Sequence, residues 1–180
     1  RKGNTPFHGI RHKWTDEPYY RDEDFGGEFL CNDFFGGTLS GIEEKLGYLA
    51  VLGISAIYLN PIFASQSNHR YNTSDYETVD PTLGTNKDFE KLCAKADRLG
   101  IRIILDGVFS HTGADSKYFN KNGAYDSVGA YQSKSSPYYS WYTFSKYPDK
   151  YDCWWGFETL PNVRETDKGY MKYMIILLKV

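Results

Sequence analysis

The stretch GIRIILDGVFSH, residues 100–111, decides the fold. An almost wholly apolar run ends at Asp106, and His111 follows five residues later. Such a continuous apolar run is typical of a strand in a parallel sheet, which is covered on both faces. The stretch therefore predicts a buried strand over 101–110 that ends at two side chains capable of chemistry.

A second strand of the same kind is predicted upstream. The run ISAIYLNPI, 54–62, is short, rich in β-branched residues and closed by Asn60–Pro61. Segments 37–53 and 86–100 each precede a strand and carry apolar residues at helical spacing. The order helix, strand, loop, helix, strand predicts an α/β fold with parallel strands joined by crossover helices.

The helix ends also carry signals. Ser40 is predicted to cap the first helix, with Glu43 completing a capping box. Asn86 is the expected cap of the second helix. Gly53 and Gly100 are expected to end the two helices, because glycine is favoured just past a helix C-terminus.

The remaining segments show no such pattern. Residues 64–85 are predicted to form a loop that is long for a plain connection, and long ordered loops are often functional. Residues 112–168 are rich in Tyr, Ser, Lys, Asp and Gly and are predicted to be an insertion after the second strand. No further strand–helix unit is expected in the apolar tail, 170–180.

Composition excludes some classes of protein. The formal net charge of −2 argues against a nucleic-acid partner, which usually meets a basic patch. No apolar run reaches the roughly 18 residues needed to cross a membrane. Cys31, Cys93 and Cys153 lie far apart without metal-ligand spacing, which favours free, mostly buried thiols in a reducing compartment and hence a cytoplasmic location.

Asp106 and His111 are the first candidates for a site. Alone, Asp106 is more often a turn cap or a partner of an arginine, and a lone histidine is more often packed than catalytic. Together they are more informative, because ligands of α/β folds bind beyond the C-terminal ends of the strands. A carboxylate and an imidazole there can hold hydroxyl groups of a polar ligand by charge-assisted hydrogen bonds.

The loop after the first strand adds His69 and Tyr71 within SNHRYNTSDY, 67–76. An aromatic ring stacks on the flat apolar face of a sugar, and an imidazole donates to a hydroxyl. The alternative is a structural loop held by Asn and Asp turns. Trp154–Trp155 is likewise either a stacking platform or core. The chain shows no serine nucleophile elbow, phosphate-binding glycine loop or zinc motif.

These motifs carry a family resemblance. NPIFASQSNHRYNTSDYETVDPTLGT (60–85), followed by GIRIILDGVFSHTG (100–113), resembles the α-amylase clan of glycoside hydrolases, family thirteen. The SNH-x-Y-x-T-x-DY form is similar to its neopullulanase, cyclomaltodextrinase and maltogenic amylase branch. YDCWWGFETLPNV (151–163) resembles the segment near the end of that family's domain B.

The resemblance implies a partial (β/α)8 TIM barrel that contains strands 2 and 3, with the start of an inserted domain B. Residues 1–111 then belong to the barrel and 112–168 to domain B. Residues 169–180 form an atypical tail that indicates truncation of a longer barrel. The family's nucleophile Asp, acid Glu and stabilising Asp lie on strands four, five and seven, so no bond-breaking residue is expected within this chain.

The resemblance also implies roles for individual residues. His111 resembles the histidine that binds the 6-hydroxyl of the sugar at the cleaved unit, and Asp106 the aspartate that holds the geometry of the site. Tyr71 resembles the aromatic platform under that sugar, and His69 lines the site. The segment LPNV, 160–163, resembles the short signature of domain B.

Calcium is treated separately, because no cofactor is required by the implied reaction. Family members usually carry Asn where Ser110 stands, and that Asn helps many amylases bind calcium. Ser110 puts this site in doubt, and Asn72 replaces a common Asp. Some relatives bind calcium near the chain start, and Asn4 is the candidate ligand there.

The function implied is retaining hydrolysis of α-glucosidic bonds in maltooligosaccharides, cyclodextrins, pullulan or starch. The fragment alone is expected to be inactive. Two alternatives stay open: a vestigial carbohydrate-binding fragment, and an oligo-1,6-glucosidase or transglycosylating relative. The partner is an α-glucan, with no nucleic acid and no membrane, and the resemblance allows a homodimer of the full-length parent.

Overall fold

The computed structural model describes residues 10–17, 31 and 33–178. Its strands, in chain order, are β1 (Ile10–Arg11), β2 (Asp33–Phe34), β3 (Ala56–Leu59), β4 (Phe63–Ser65), β5 (Thr73–Val79), β6 (Arg102–Leu105), β7 (Phe144–Lys146) and β8 (Lys150–Tyr151). Its α-helices are α1 (Leu39–Val51), α2 (Asn86–Arg98) and α3 (Lys168–Leu177), and two 3-10 turns span Tyr139–Trp141 and Trp154–Gly156.

The parallel strand pair predicted from the two apolar runs is present. β3 and β6 are parallel, with Ala56 opposite Arg102 and Leu59 opposite Leu105. The backbone N–H of Asp106 donates to the Leu59 carbonyl at 3.0 Å, which extends the ladder by one bond. Both strands therefore end at the same level, and the residues that follow them meet at one edge.

The helices α1 and α2 pack against each other beside this pair. Lys95 of α2 forms an ion pair with Glu43 of α1 at 3.5 Å. Leu46 and Leu92 are fully buried between the elements, and burying such side chains contributes roughly 1.5–3 kcal/mol each. The buried members of this first core cluster are Leu39, Leu46, Leu59, Ile62, Val79, Leu92, Ala96 and Ile101.

Both predicted helix caps are wrong by one or two residues. α1 is capped by Thr38, whose side chain accepts from the Gly41 N–H, and not by Ser40. α2 is capped by Thr85 in a capping box with Asp88. The Asn86 side chain does not cap the helix but binds β5, since its amide oxygen accepts from the Val79 N–H at 2.8 Å.

The predicted burial of the parallel pair on both faces is also wrong. Leu59 lies on the face that packs against the helices, whereas Tyr58 and Ile104 on the other face are 59% and 47% exposed. The reason is that the described part of the chain places no layer over this second face. The pair thus presents an apolar face to solvent.

The segment 64–85, predicted to be a loop, contains most of an antiparallel hairpin. β4 pairs with β5 in an irregular register, with Ser65 opposite Thr73. The other edge of β5 is bonded as well, since Gly113 N–H donates to the Thr73 carbonyl and Lys117 N–H to that of Ser74, both at 2.9 Å. Polar β5 is held by backbone pairing on both sides, which its composition does not reveal.

Residues 112–168 contain only short elements, as the loss of pattern indicated, but they enclose a second core cluster built on aromatic rings. Tyr118 and Phe119 are fully buried at its centre. The tail, for which no strand–helix unit was expected, forms the helix α3, and its Tyr170 and Met174 are buried in this cluster. The boundaries at 111 and 168 stay predictions.

Two properties of the described residues concern the expected cellular compartment: the state of the cysteines and the search for a membrane-spanning helix. Cys31, Cys93 and Cys153 are free thiols, half-buried rather than mostly buried. Burial raises the pKa of Cys93 and of Cys153. Within the part of the chain that the structure describes, no helix has both the length and the apolar character that a membrane span requires.

Candidate functional site

The site is built around a bond between the two loops that leave the parallel strands. The hydroxyl of Tyr71 donates to a carboxylate oxygen of Asp106 at 2.9 Å. This bond, together with the negative charge of Asp106, raises the pKa of Tyr71, and the same carboxylate raises that of Tyr58. Asp106 therefore gathers two phenols at the mouth of the sheet.

His111 lies beneath Tyr71 and is 5% exposed. Its Nε2 lies 3.1 Å from the Tyr71 carbonyl, and its Nδ1 lies 3.0 Å from the Ser110 hydroxyl. Because a carbonyl can only accept, Nε2 carries the proton and Nδ1 accepts from Ser110. Burial lowers the pKa of His111, against the opposing effect of the Tyr71 carbonyl, so the neutral imidazole is favoured.

His69 stands on the exposed side of the same loop. Its Nδ1 accepts from the Tyr71 N–H at 3.0 Å, which leaves the proton of the neutral ring on Nε2. Partial desolvation and then the charge of Arg70 lower the pKa of His69. The rings of His69 and Tyr71 are stacked with centroids 6.0 Å apart, so a polar donor and an aromatic face lie side by side.

An arginine network holds this loop in shape. Arg70 has a left-handed backbone, φ 59°, which non-glycine residues adopt only where the surroundings enforce it. Its guanidinium donates to the Asn68 carbonyl at 2.8 Å and to the Thr82 hydroxyl at 2.7 Å, with Asp80 at 3.7 Å. The side chain thereby ties the loop to the chain that follows β5.

The turn 106–111 is held from below by two buried tyrosines. The Tyr76 hydroxyl donates to the carbonyls of Val108 and His111, the latter at 3.2 Å. The Tyr170 hydroxyl of α3 donates to the Phe109 carbonyl at 2.6 Å. Because Val108 and His111 are buried, the Tyr76 hydroxyl satisfies backbone carbonyls that would otherwise lack partners.

Glycine is required where this region meets the Tyr71 loop. A Cβ on Gly113 would lie 2.8 Å from the Asn72 carbonyl and 2.6 Å from a carboxylate oxygen of Asp115. Asn72 itself is fixed in place, since its side-chain oxygen accepts from the Ser65 and Ser67 hydroxyls. The side chain of Asn72, which stands where the family commonly carries Asp, therefore helps to hold the loop in shape.

The end of the insertion packs against the turn that carries His111. His111 and Asn162 form an antiparallel bridge, and Val163 N–H donates to the Ser110 carbonyl at 3.0 Å. The ring of Trp154 lies over that of His111, with centroids 5.4 Å apart. The segment 160–163 therefore forms one wall of the site.

The structure brings His69, Tyr71, Asp106 and His111 together, as the strand-end argument predicted. It adds Tyr58, which the sequence reasoning missed although its position in the strand, two residues before Asn60, places it on the face shared with the strand end. Asn4 lies outside the described residues. Within those residues, no three His, Cys, Asp or Glu side chains are grouped to hold a metal ion.

Comparison with known proteins identifies the family. Residues 9–167 match the family described as alpha amylase, catalytic domain. An amylopullulanase of Thermoanaerobacterium saccharolyticum is 47% identical over 174 residues, which cover 91% of this chain and 13% of that protein. An intracellular maltogenic amylase of Bacillus subtilis is 37% identical over 150 residues, covering 80% of this chain and 24% of that protein.

A solved structure agrees with these relatives. The type III pullulan hydrolase of Thermococcus kodakarensis superposes with a TM-score of 0.79 at 33% identity, over 95% of this chain and 28% of that one. The chain thus spans a small part of each relative. Because the family match covers most of its length and includes His69, Tyr71, Asp106 and His111, the chain belongs to the α-amylase catalytic-domain family.

Proposed function

We propose that the protein carrying this chain hydrolyses α-glucosidic bonds in maltooligosaccharides, cyclodextrins, pullulan or starch. The observation that carries the proposal is the Tyr71–Asp106 hydrogen bond at the strand ends, with His111 directly below. Family membership supports the reaction class. The names of the relatives, amylopullulanase and maltogenic amylase, support the substrate class.

In this proposal the chain supplies the half of the site that holds the sugar. Tyr71 is 39% exposed and offers a ring face whose tilt is fixed through its hydroxyl by Asp106. His69 offers an Nε2–H to a sugar hydroxyl. His111 shares its Nε2–H between the Tyr71 carbonyl and the 6-hydroxyl of the bound unit. These groups position the substrate and lower the entropy cost of reaching the transition state.

The bond itself is broken by a pair of carboxyl groups about 5–5.5 Å apart, which form and hydrolyse a covalent glycosyl-enzyme with retention of configuration. We propose that these carboxyl groups lie outside the 180 residues, so the chain alone is inactive. In the complete barrel, β3 and β6 are the second and third strands, and 112–168 begins domain B. The exposed face of β3 and β6 then becomes barrel interior.

Three further expectations belong to the proposal. No cofactor enters the reaction, and a calcium ion near Asn4 has a structural role only. Ser110 puts the calcium site of many amylases in doubt, because it stands where the family usually carries Asn, and its hydroxyl lies 3.0 Å from Nδ1 of His111. The full-length protein is cytoplasmic, which the three free thiols favour, and forms a homodimer.

The test is release of reducing sugar by the full-length protein from cyclodextrin, pullulan and starch, with and without EDTA. We expect His111→Asn and Tyr71→Ala to lower kcat/KM by about tenfold or more, equivalent to about 1.4 kcal/mol. Tyr48→Ala is the matched control, because Tyr48 is an exposed aromatic residue of α1. The anomer formed first, followed by NMR, tests retention.

The alternatives predict different results. Activity confined to short 1,6-linked substrates would indicate an oligo-1,6-glucosidase relative, and predominant transfer products a transglycosylase. Binding without release would indicate a vestigial binding protein. Unchanged kinetics in both site variants would remove His111 and Tyr71 from the site.

A further inference from the structure

Trp155 occupies a position that its local structure does not favour. It is 83% exposed, although large apolar side chains usually gain free energy from burial. Its backbone is left-handed, φ 51° and ψ 26°, and Gly156 follows at φ 81°. Two successive left-handed residues form a turn that asparagine and glycine adopt most easily. Neither burial nor backbone preference therefore accounts for a tryptophan here.

The turn carries three aromatic rings that are stacked with nearly parallel planes. Trp154 and Trp155 are stacked with centroids 5.3 Å apart and an angle of 21° between planes. Trp154 and Phe157 are 6.4 Å apart at 25°. Trp154 and Phe157 are 38% and 56% exposed. We call these three residues the aromatic turn.

The aromatic turn is anchored firmly despite its exposure. Trp154 N–H donates to the Leu160 carbonyl at 2.9 Å, and Phe157 N–H donates to the Trp154 carbonyl at 3.0 Å. Cys153 and Pro161 form an antiparallel bridge that closes the loop at its base. The rings are thus preorganised, which lowers the entropy cost of binding a ligand to them.

The aromatic turn is continuous with the candidate site. The ring centroids of Trp154 and His111 are 5.4 Å apart. Nε2 of His111 in turn lies 3.1 Å from the Tyr71 carbonyl oxygen. Trp154 is thus the ring next to His111, and Trp155 is stacked on Trp154. Flat apolar ring faces suit the apolar faces of glucose units.

We propose that the aromatic turn is an additional binding surface for an α-1,4-glucan chain, beyond the sugar unit held by Tyr71 and His111. Trp155 is its outermost ring and determines affinity for long chains. The proposal rests on the proposed function for the direction of the chain, but binding to the surface is measurable without turnover.

The experiment uses Trp155→Asn in the full-length protein. Asn accepts the left-handed backbone, so this variant removes the ring without adding backbone strain. We expect the midpoint of thermal unfolding to stay unchanged or to rise. KM for maltoheptaose is expected to rise about tenfold, which corresponds to about 1.4 kcal/mol of binding free energy, with kcat unchanged. KM for maltotriose is expected to change less than about twofold.

A second measurement separates this proposal from the proposed function. Quenching of tryptophan fluorescence by β-cyclodextrin gives a Kd whether or not the protein cleaves the sugar. Trp155→Tyr, which restores a ring, should recover most of the affinity, and Tyr48→Ala should bind as the wild type does. A wild type that binds but does not hydrolyse would remove the proposed function and leave the aromatic turn standing.

Other outcomes overturn the proposal. Equal KM values for wild type and Trp155→Asn on maltoheptaose would show that the ring does not contact the glucan. Equal losses in the Asn and Tyr variants would show that Trp155 acts through the fold. A change in the oligomeric state of Trp155→Asn, with sugar affinity intact, would assign the surface to contact between copies of the protein.

Discussion

Replacing Tyr76 by Phe removes one buried hydroxyl and leaves the ring. Tyr76 is 1% exposed, and its hydroxyl donates to the carbonyls of Val108 and His111. The ring contacts with Phe63, Phe109 and Tyr118 do not need the hydroxyl. The change therefore isolates the hydrogen bonds that support the turn bearing His111.

The expected loss of stability follows from the backbone carbonyls that lose their hydrogen-bond donor. A buried hydrogen bond contributes about 0.5–1.5 kcal/mol net, and a buried carbonyl without a partner costs about 1–3 kcal/mol. Tyr170 still donates to the Phe109 carbonyl, so the turn keeps one of its supports. We expect Tyr76→Phe to lower the free energy of unfolding by about 2 kcal/mol.

The assay is urea unfolding of the full-length protein, followed by tryptophan fluorescence. The transition midpoint should fall while its slope stays constant, because the surface exposed on unfolding is unchanged. Tyr131→Phe is the control, since that hydroxyl donates to Asp149 at 2.8 Å in an exposed position and surface changes cost within about 0.5 kcal/mol. A loss for Tyr76→Phe no larger than the control would refute the reasoning.

Two other predictions concern packing and pH. Gly113→Ala should destabilise the protein by about 1–3 kcal/mol, because its Cβ would collide with the Asn72 carbonyl. Gly47→Ala, whose Cβ would have nothing within 4 Å, should stabilise α1 by about 0.5–1 kcal/mol. A melting temperature that rises for Gly113→Ala or falls for Gly47→Ala would contradict this. Burial lowers the pKa of His111, so below about pH 6.5 the unfolded chain binds more protons and stability falls. His111→Asn should make that fall shallower, and an unaltered pH dependence of the melting temperature would count against the assigned cause.

The parallel pair and the grouping of the site were predictable from sequence. Two apolar runs that each end in polar residues imply parallel strands, and parallel strands bring their C-terminal ends to one edge. This places Asp106 at the same edge of the sheet as the loop that carries Tyr71. Tyr58 was missed because apolar residues precede and follow it in the strand. No alternation of polar and apolar residues then shows which face of the sheet its side chain lies on.

Other features depend on contacts distant in sequence. Ser40 is as good a cap as Thr38 by residue type, and the burial of Leu39 against the neighbouring core sets the start of the helix. β5 looks polar, yet the backbone of 113–117 pairs with it. α3 starts at a cap signal that the sequence reasoning missed, since the Asp167 side chain accepts from the Tyr170 N–H, and its place is set by Tyr170 and Met174 in the aromatic core.

The hydrogen bonds that support the turn 106–111 have a consequence for synthesis. Their donors and acceptors lie on β3, β5, the insertion and α3, from Leu59 to Tyr170 along the chain. Domains emerge from the ribosome N-terminal part first. In the complete barrel proposed above, this half of the site is therefore made before the strands that follow, and it is ordered on the nascent chain once α3 has left the exit tunnel.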